Sequence, residues 1–171
     1  MFDFLRPKET WRANKTLFHY QLAEKGDLPY IESIIQEAYE PINKILSRPP
    51  GALDNTAKKI FHSFRNNQLY VLYNEKYDLI GTFSLALTER KTVKMFHFAI
   101  KSQFQEQGAG SWVVKEVIKM IKQQMPDVSG IELEIYSKIP SHLKFYNKFG
   151  FIQIGRKEIR GEKILILKKQ L

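Results

Sequence analysis

Residues 98–112 read FAIKSQFQEQGAGSW, and this stretch decides the fold. Before it, Thr92 to Lys101 is nearly all apolar (Val93, Met95, Phe96, Phe98, Ala99, Ile100), the pattern of a central strand buried on both faces. After it, Gly110 to Gln124 spaces Trp112, Val113, Val117, Ile118, Met120 and Ile121 at helical period and stops before Pro126. Strand, glycine turn, helix is an anion-binding arrangement. The first-turn amides of a helix lack intrahelical partners, and its dipole places roughly +0.5 charge there. Gly108 and Gly110 remove the side chains that would block a phosphate. The turn is not a Walker loop, since no Gly-Lys-Ser/Thr follows, and with two glycines it is not the dinucleotide fingerprint.

Outward from this turn, strands and helices alternate. Phe18 to Leu22 reads as a strand, and Leu28 to Tyr39 as an amphipathic helix that Pro41 stops or kinks. A proline loop at 47–51 precedes a second helix over Ala52 to Asn66. Leu69 to Asn74 and Leu79 to Leu87 form a hairpin, and Ile131 to Tyr136 alternates as a strand. Pro140 to Phe149 is a short helix ended by Gly150, and Ile152 to Ile159 with Lys163 to Leu167 close the chain as a strand pair. The expected fold is α/β, a central mixed sheet of six to seven strands flanked by about four helices. One domain spans 1–171, its core about 18–167, with 1–17 as an N-terminal extension.

The 171 residues are 43% hydrophobic and 26% charged, with 12 Phe and 8 Tyr, which suits a packed core and excludes wholesale disorder. Zero cysteines exclude disulfides, thiolate metal sites and a cysteine nucleophile, and no metal is expected. No apolar run reaches 18 residues and Met1 to Thr10 lacks a signal-peptide core, so a cytoplasmic protein with no membrane partner is expected. A formal charge of +9 attracts polyanions, including a phosphorylated cofactor, but the basic residues are scattered and no RRM, KH or helix-turn-helix signature is present. Nucleic acid is therefore disfavoured as a partner. A homodimer is allowed.

Read as Gln/Arg-x-x-Gly-x-Gly/Ala after a strand, residues 105–110 resemble the pyrophosphate loop of the GCN5-related N-acetyltransferase (GNAT) superfamily. Phe145-Tyr146-Asn147-Lys148-Phe149-Gly150-Phe151 resembles that family's second signature, an aromatic-Tyr-x-Lys-x-Gly-Phe helix end. The resemblance covers about Phe18 to Leu167. It implies transfer of an acetyl group from acetyl-CoA, the acyl donor substrate, directly to a primary amine acceptor. Gln105, Glu106, Gln107, Gly108, Ala109, Gly110 and Ser111 would hold the pyrophosphate, with Lys148 also on the cofactor. The pantetheine arm would lie along Phe98-Ala99-Ile100, in a gap where that strand splays from Ile131 to Tyr136. Two departures stand out: Glu106 where glycine is common, which must turn its carboxylate outward, and Ile139 where many relatives carry asparagine.

The same resemblance assigns Tyr146 to the departing thiolate. A phenol near pKa ~10 does not readily protonate a thiolate of a thiol near ~8.5, so a hydrogen bond is the role expected of it. Glu134, twelve residues earlier, resembles the strand glutamate of ribosomal-protein N-terminal acetyltransferases and is the candidate base. Burial must raise its pKa, or water must relay the proton. Another subfamily's base position holds Lys94, which argues against that version of the mechanism. His97 and His142 are weaker candidates. The acceptor would be lined by Pro41 to Leu53 and Gln153 to Glu162, with Tyr39 and Arg48 within reach. A non-catalytic acyl-CoA-binding module is the alternative.

Overall fold

A computed structural model describes residues 18–171; the N-terminal extension at 1–17, and with it the reading of Met1 to Thr10, lies outside the described residues. The strands are β1 (Phe18–Leu22), β2 (Leu69–Asn74), β3 (Leu79–Leu87), β4 (Thr92–Ile100), β5 (Gly130–Tyr136), β6 (Ile152–Ile159) and β7 (Glu162–Gln170). They form one sheet in the order β1-β2-β3-β4-β5-β7-β6. Only the β4–β5 pair is parallel, joined by the crossover through α3, and the other neighbouring pairs are antiparallel.

The helices are α1 (Leu28–Asn43), α2 (Thr56–Arg65), α3 (Ala109–Gln124) and α4 (Pro140–Asn147). They divide the core in two. On one face of the sheet Val113, Val114, Val117 and Ile121 of α3 pack on Val93, Met95, Ile131, Leu133 and Leu167, with Leu143 and Phe145 of α4 against the same cluster. On the other face Ile31, Ile34 and Ile35 of α1 and Ile60 of α2 pack on Leu69, Val71 and Ala99. Each helix thus buries the apolar stripe that its 3.6-residue period creates.

Three expectations are corrected. Helix α1 runs through Pro41 to Asn43; the proline sits in the last turn, where it costs one backbone bond two residues before the helix ends anyway. The second helix begins at Thr56, not Ala52. Gly51–Leu53 forms a separate 3-10 turn, and Asn55 at φ +51° breaks the path between the two. Finally, β4 is not buried on both faces throughout: Phe96, His97 and Phe98 are half-buried. The cause is a bulge. The β3–β4 register moves from Thr82↔Ala99 to Ser84↔Phe96, giving β4 one extra residue, and His97 takes the left-handed φ of +50° that accommodates it.

That bulge aims β4 away from β5. The two strands pair only at Thr92↔Gly130, Val93↔Ile131 and Lys94↔Glu132, and from Met95 onward β4 has no partner on that edge. Gly130, the first residue of β5, lets that strand lie close against β7, since a Cβ there would fall 2.6 Å from the carbonyl oxygen of Lys169. A wedge-shaped opening therefore starts midway along the sheet and widens toward Ile100 and Tyr136.

Candidate active site

The N-terminus of α3 lies beyond the wide end of the wedge. Gly108 adopts φ +87°, a region in which an L side chain is strained, and turns the chain into the helix. The first helical bond runs from the Trp112 N–H to the Gly108 carbonyl at 2.9 Å, and no side chain caps the helix. The amides of Ala109, Gly110 and Ser111 are left without intrahelical acceptors. Gln105 and Gln107 hold the loop from within: the Gln105 amide donates to the Ile100 carbonyl at 2.8 Å and that of Gln107 to the Gln103 carbonyl at 2.7 Å. Glu106 is exposed at φ +61°. At Gly110 the position of a Cβ falls 3.5–3.7 Å from Phe145, Ile100 and Phe98, so the glycine is walled by the strand end and α4.

Helix α4 brings Tyr146 to the wedge. Gly150 at φ +80° ends the helical segment, and the chain returns at once so that Phe151 is 1% exposed, edge-on to the Tyr146 ring with centroids 5.6 Å apart. The Tyr-x-Lys-x-Gly-Phe spacing is thus a device for locking the ring. Lys148, its lysine, follows at the helix end and is exposed. Ile139, 7% exposed, begins α4 with an apolar side chain in the core. The Tyr146 hydroxyl makes no hydrogen bond among the described residues, and burial, reinforced by Tyr39, pushes its pKa well above that of an ordinary phenol. Tyr39 in turn is raised to about 12 by burial and by Tyr136. Tyr39 of α1 therefore stands near both Tyr136 of β5 and Tyr146 of α4.

A family model described as an acetyltransferase (GNAT) domain matches residues 48–168. The chain belongs to the GNAT acetyltransferase family. It is 26% identical over 162 residues to S-(2-succino)cysteine N-acetyltransferase of Bacillus subtilis (strain 168), covering 89% of this chain and 95% of that one. The fold is shared with a GNAT-family acetyltransferase of Staphylococcus aureus Mu50, at TM-score 0.71 and 16% identity, covering 90% of this chain and 98% of that one. It is shared too with a spermidine N-acetyltransferase from Vibrio cholerae solved with CoA and spermine, at TM-score 0.69 and 15% identity, covering 90% and 95%. This GNAT enzyme is an acyltransferase.

On the opposite face, Glu134 of β5 sits between two ammonium groups. Lys94 of β4 and Lys157 of β6 donate to the same carboxylate oxygen, Oε1, at 2.8 and 2.9 Å. Burial pushes the Glu134 pKa up, but the hydrogen bonds and charges of the two lysines outweigh it and hold the carboxyl below the usual range. The rise that a base at this position needs is absent. His97 stands 3.4 Å from Ser84 Oγ through Nδ1 and is lowered to about 4, first by burial and then by Lys59. His142 of α4 is also lowered by burial.

His97 gives a pH prediction. Its folded pKa lies below the unfolded value of about 6.5, so the stability it contributes is present above pH 6.5 and is lost as pH falls toward 4. Thermal melts from pH 7.5 to 4 should show the melting temperature falling across that window, and His97→Gln should flatten the fall. An unchanged slope in the variant would show that His97 is not the group responsible.

The two segments expected to line the acceptor meet through side chains that periodicity does not single out. Glu162, 4% exposed at the start of β7, accepts from the Ser47 N–H at 2.6 Å and from Lys138 at 3.1 Å. Arg160 pairs with Asp54 at 2.9 Å, and the Gly51 N–H donates to the Tyr136 hydroxyl at 2.9 Å. Alternation along β5 puts Glu132, Glu134 and Tyr136 on one face, but their partners on β4, β6, β7 and the α1–α2 loop are fixed only by long-range pairing and packing.

Proposed function

We propose that this enzyme transfers an acetyl group from acetyl-CoA to a primary amine, with the diphosphate of CoA held at residues 105–111. The observation that carries the reading is the conjunction of free first-turn amides at 109–111 with a wedge opening directly from Ile100. These residues fit the group: the glycines leave room, the amides are donors, and the helix dipole favours an anion. The unpaired edge of β4 at Phe98, Ala99 and Ile100 offers the pantetheine amides the bonds a neighbouring strand would make. Lys148 at the end of α4 supplies a further positive charge for the phosphates.

The chemistry asks for a free amine, donors for the carbonyl oxygen as it gains charge, and a partner for the sulfur as its bond to carbon breaks. Backbone N–H groups of β4 beyond the bulge serve the oxygen. Tyr146, whose raised pKa keeps it protonated, donates a hydrogen bond to the sulfur. Glu134 remains in its ionised form between Lys94 and Lys157, and the amine proton leaves by water. The amine class agrees with what the relatives act on: S-(2-succino)cysteine for the Bacillus enzyme and spermidine for the Vibrio one.

The test is release of free CoA from acetyl-CoA across a panel of amines, after a thermal-shift titration with CoA. Saturation at a hundredfold excess over Kd should stabilise the fold by about 2.7 kcal/mol. Stabilisation without CoA release on any amine would instead establish a binding module, and neither effect would remove the reading.

A further inference from the structure

Next to the wedge, on the face opposite α3, lies a cleft of about 340 Å³. It is lined by Lys94 of β4, Glu132 and Glu134 of β5, Ile154 of β6, Ile166 of β7, and Arg90 from the β3–β4 turn. It begins where β4–β5 pairing ends, at Lys94↔Glu132, and so adjoins the place where an acyl group would emerge between the strands.

Its charges do not balance. Lys94 and Lys157 share one oxygen of one carboxylate, Glu134, at 2.8 and 2.9 Å. Glu132 is matched by Lys168 at 3.8 Å, and Arg90 has no ion-pair partner among the described residues. Arg90 and Lys94 line the cleft against Glu132 and Glu134, and the ion-pair partners Lys157 and Lys168 beside it bring the local excess to two positive charges. Each lysine ammonium has three donors and spends one on Glu134, which leaves two N–H groups on Lys94, in the cleft lining, and two on Lys157 beside it. An acceptor with several ammonium groups would meet like charge here, whereas a carboxylate would complete the shell around both lysines. Ile154 and Ile166 add an apolar wall for a short aliphatic spacer.

From this arrangement, and resting on the acetyl-transfer reading above, we propose that the acceptor is an acidic amine: a primary amine whose far end carries one or more carboxylates, bound by Lys94 and Lys157. In this assignment Glu134 is a positioning residue that holds the two ammonium groups a fixed distance apart.

The experiment compares kcat/KM for skeleton-matched amines: aminodicarboxylic acids such as glutamate and aspartate, their side-chain and α-amides, and a diamine of similar length. The acids should exceed the amides by tenfold or more, with the diamine lowest. In Lys94→Gln and Lys157→Gln the acid-to-amide ratio should collapse to within about threefold; both lysines are roughly two-fifths exposed, so the fold tolerates the changes. The ratio is the readout, and a purely structural role would lower acid and amide rates together. Equal turnover of acids and amides, or a ratio unchanged in the variants, would overturn the assignment while leaving acetyl transfer intact. CoA release with none of the amines would overturn the acetyl-transfer reading, and this assignment with it.

Discussion

Replacing Ser111 with aspartate should abolish tight CoA binding while leaving the protein as stable as before, or slightly more so. Ser111 is the third residue of α3, in the turn whose amides lack partners. For the helix alone, a carboxylate there is favourable, by about 0.3–1 kcal/mol, because it faces the positive end of the dipole. For a bound diphosphate it is the reverse. A single unit charge about 6 Å away, at an effective dielectric near 20, gives a repulsion of about 3 kcal/mol, roughly a hundredfold in Kd. Stability and affinity should therefore move in opposite directions. Differential scanning calorimetry of the free protein and a CoA titration measure the two separately. Retained affinity in Ser111→Asp would place the phosphates elsewhere.

Tyr146→Phe should lower kcat by about 10²-fold with little change in the KM for acetyl-CoA or in melting temperature. The hydroxyl has no hydrogen-bond partner among the described residues, and the ring contacts with Phe145 and Phe151, at centroid distances of 5.0 and 5.6 Å, are kept in phenylalanine. What disappears is a donor to sulfur as it becomes anionic, an interaction made only as the bond breaks, so the loss falls on kcat. The pKa, raised by burial and by Tyr39, fits a hydrogen bond and makes complete proton transfer more unfavourable than in an ordinary phenol. A variant with wild-type kcat would assign Tyr146 to packing alone.

The turn before α3 and the end of α4 were legible in the sequence because they are local. Gly108 and Gly110 flank a helix start, and the Tyr146 to Phe151 spacing closes on itself within one helix end, so a short window contains all the physics. The strands from Phe18 to Ile159 could be read for the same reason. The bulge at His97 could not: a single residue at φ +50° inside an apolar run leaves no mark on hydrophobic periodicity, yet it opens the wedge. Nor could the setting of Glu134. Its alternation was visible, but Lys94 lies 40 residues before it and Lys157 lies 23 after, and only the order β4-β5-β7-β6 brings both to one oxygen. The clamp of Ser47, Lys138 and Glu162 is likewise a product of long-range pairing.

The most direct test of where the donor binds is a crystal structure with CoA. The diphosphate oxygens should lie within hydrogen-bond distance of the amides of residues 109–111, with the pantetheine arm along Phe98 to Ile100 and its sulfur near the Tyr146 hydroxyl. A CoA molecule whose diphosphate contacts none of these amides would contradict the assignment.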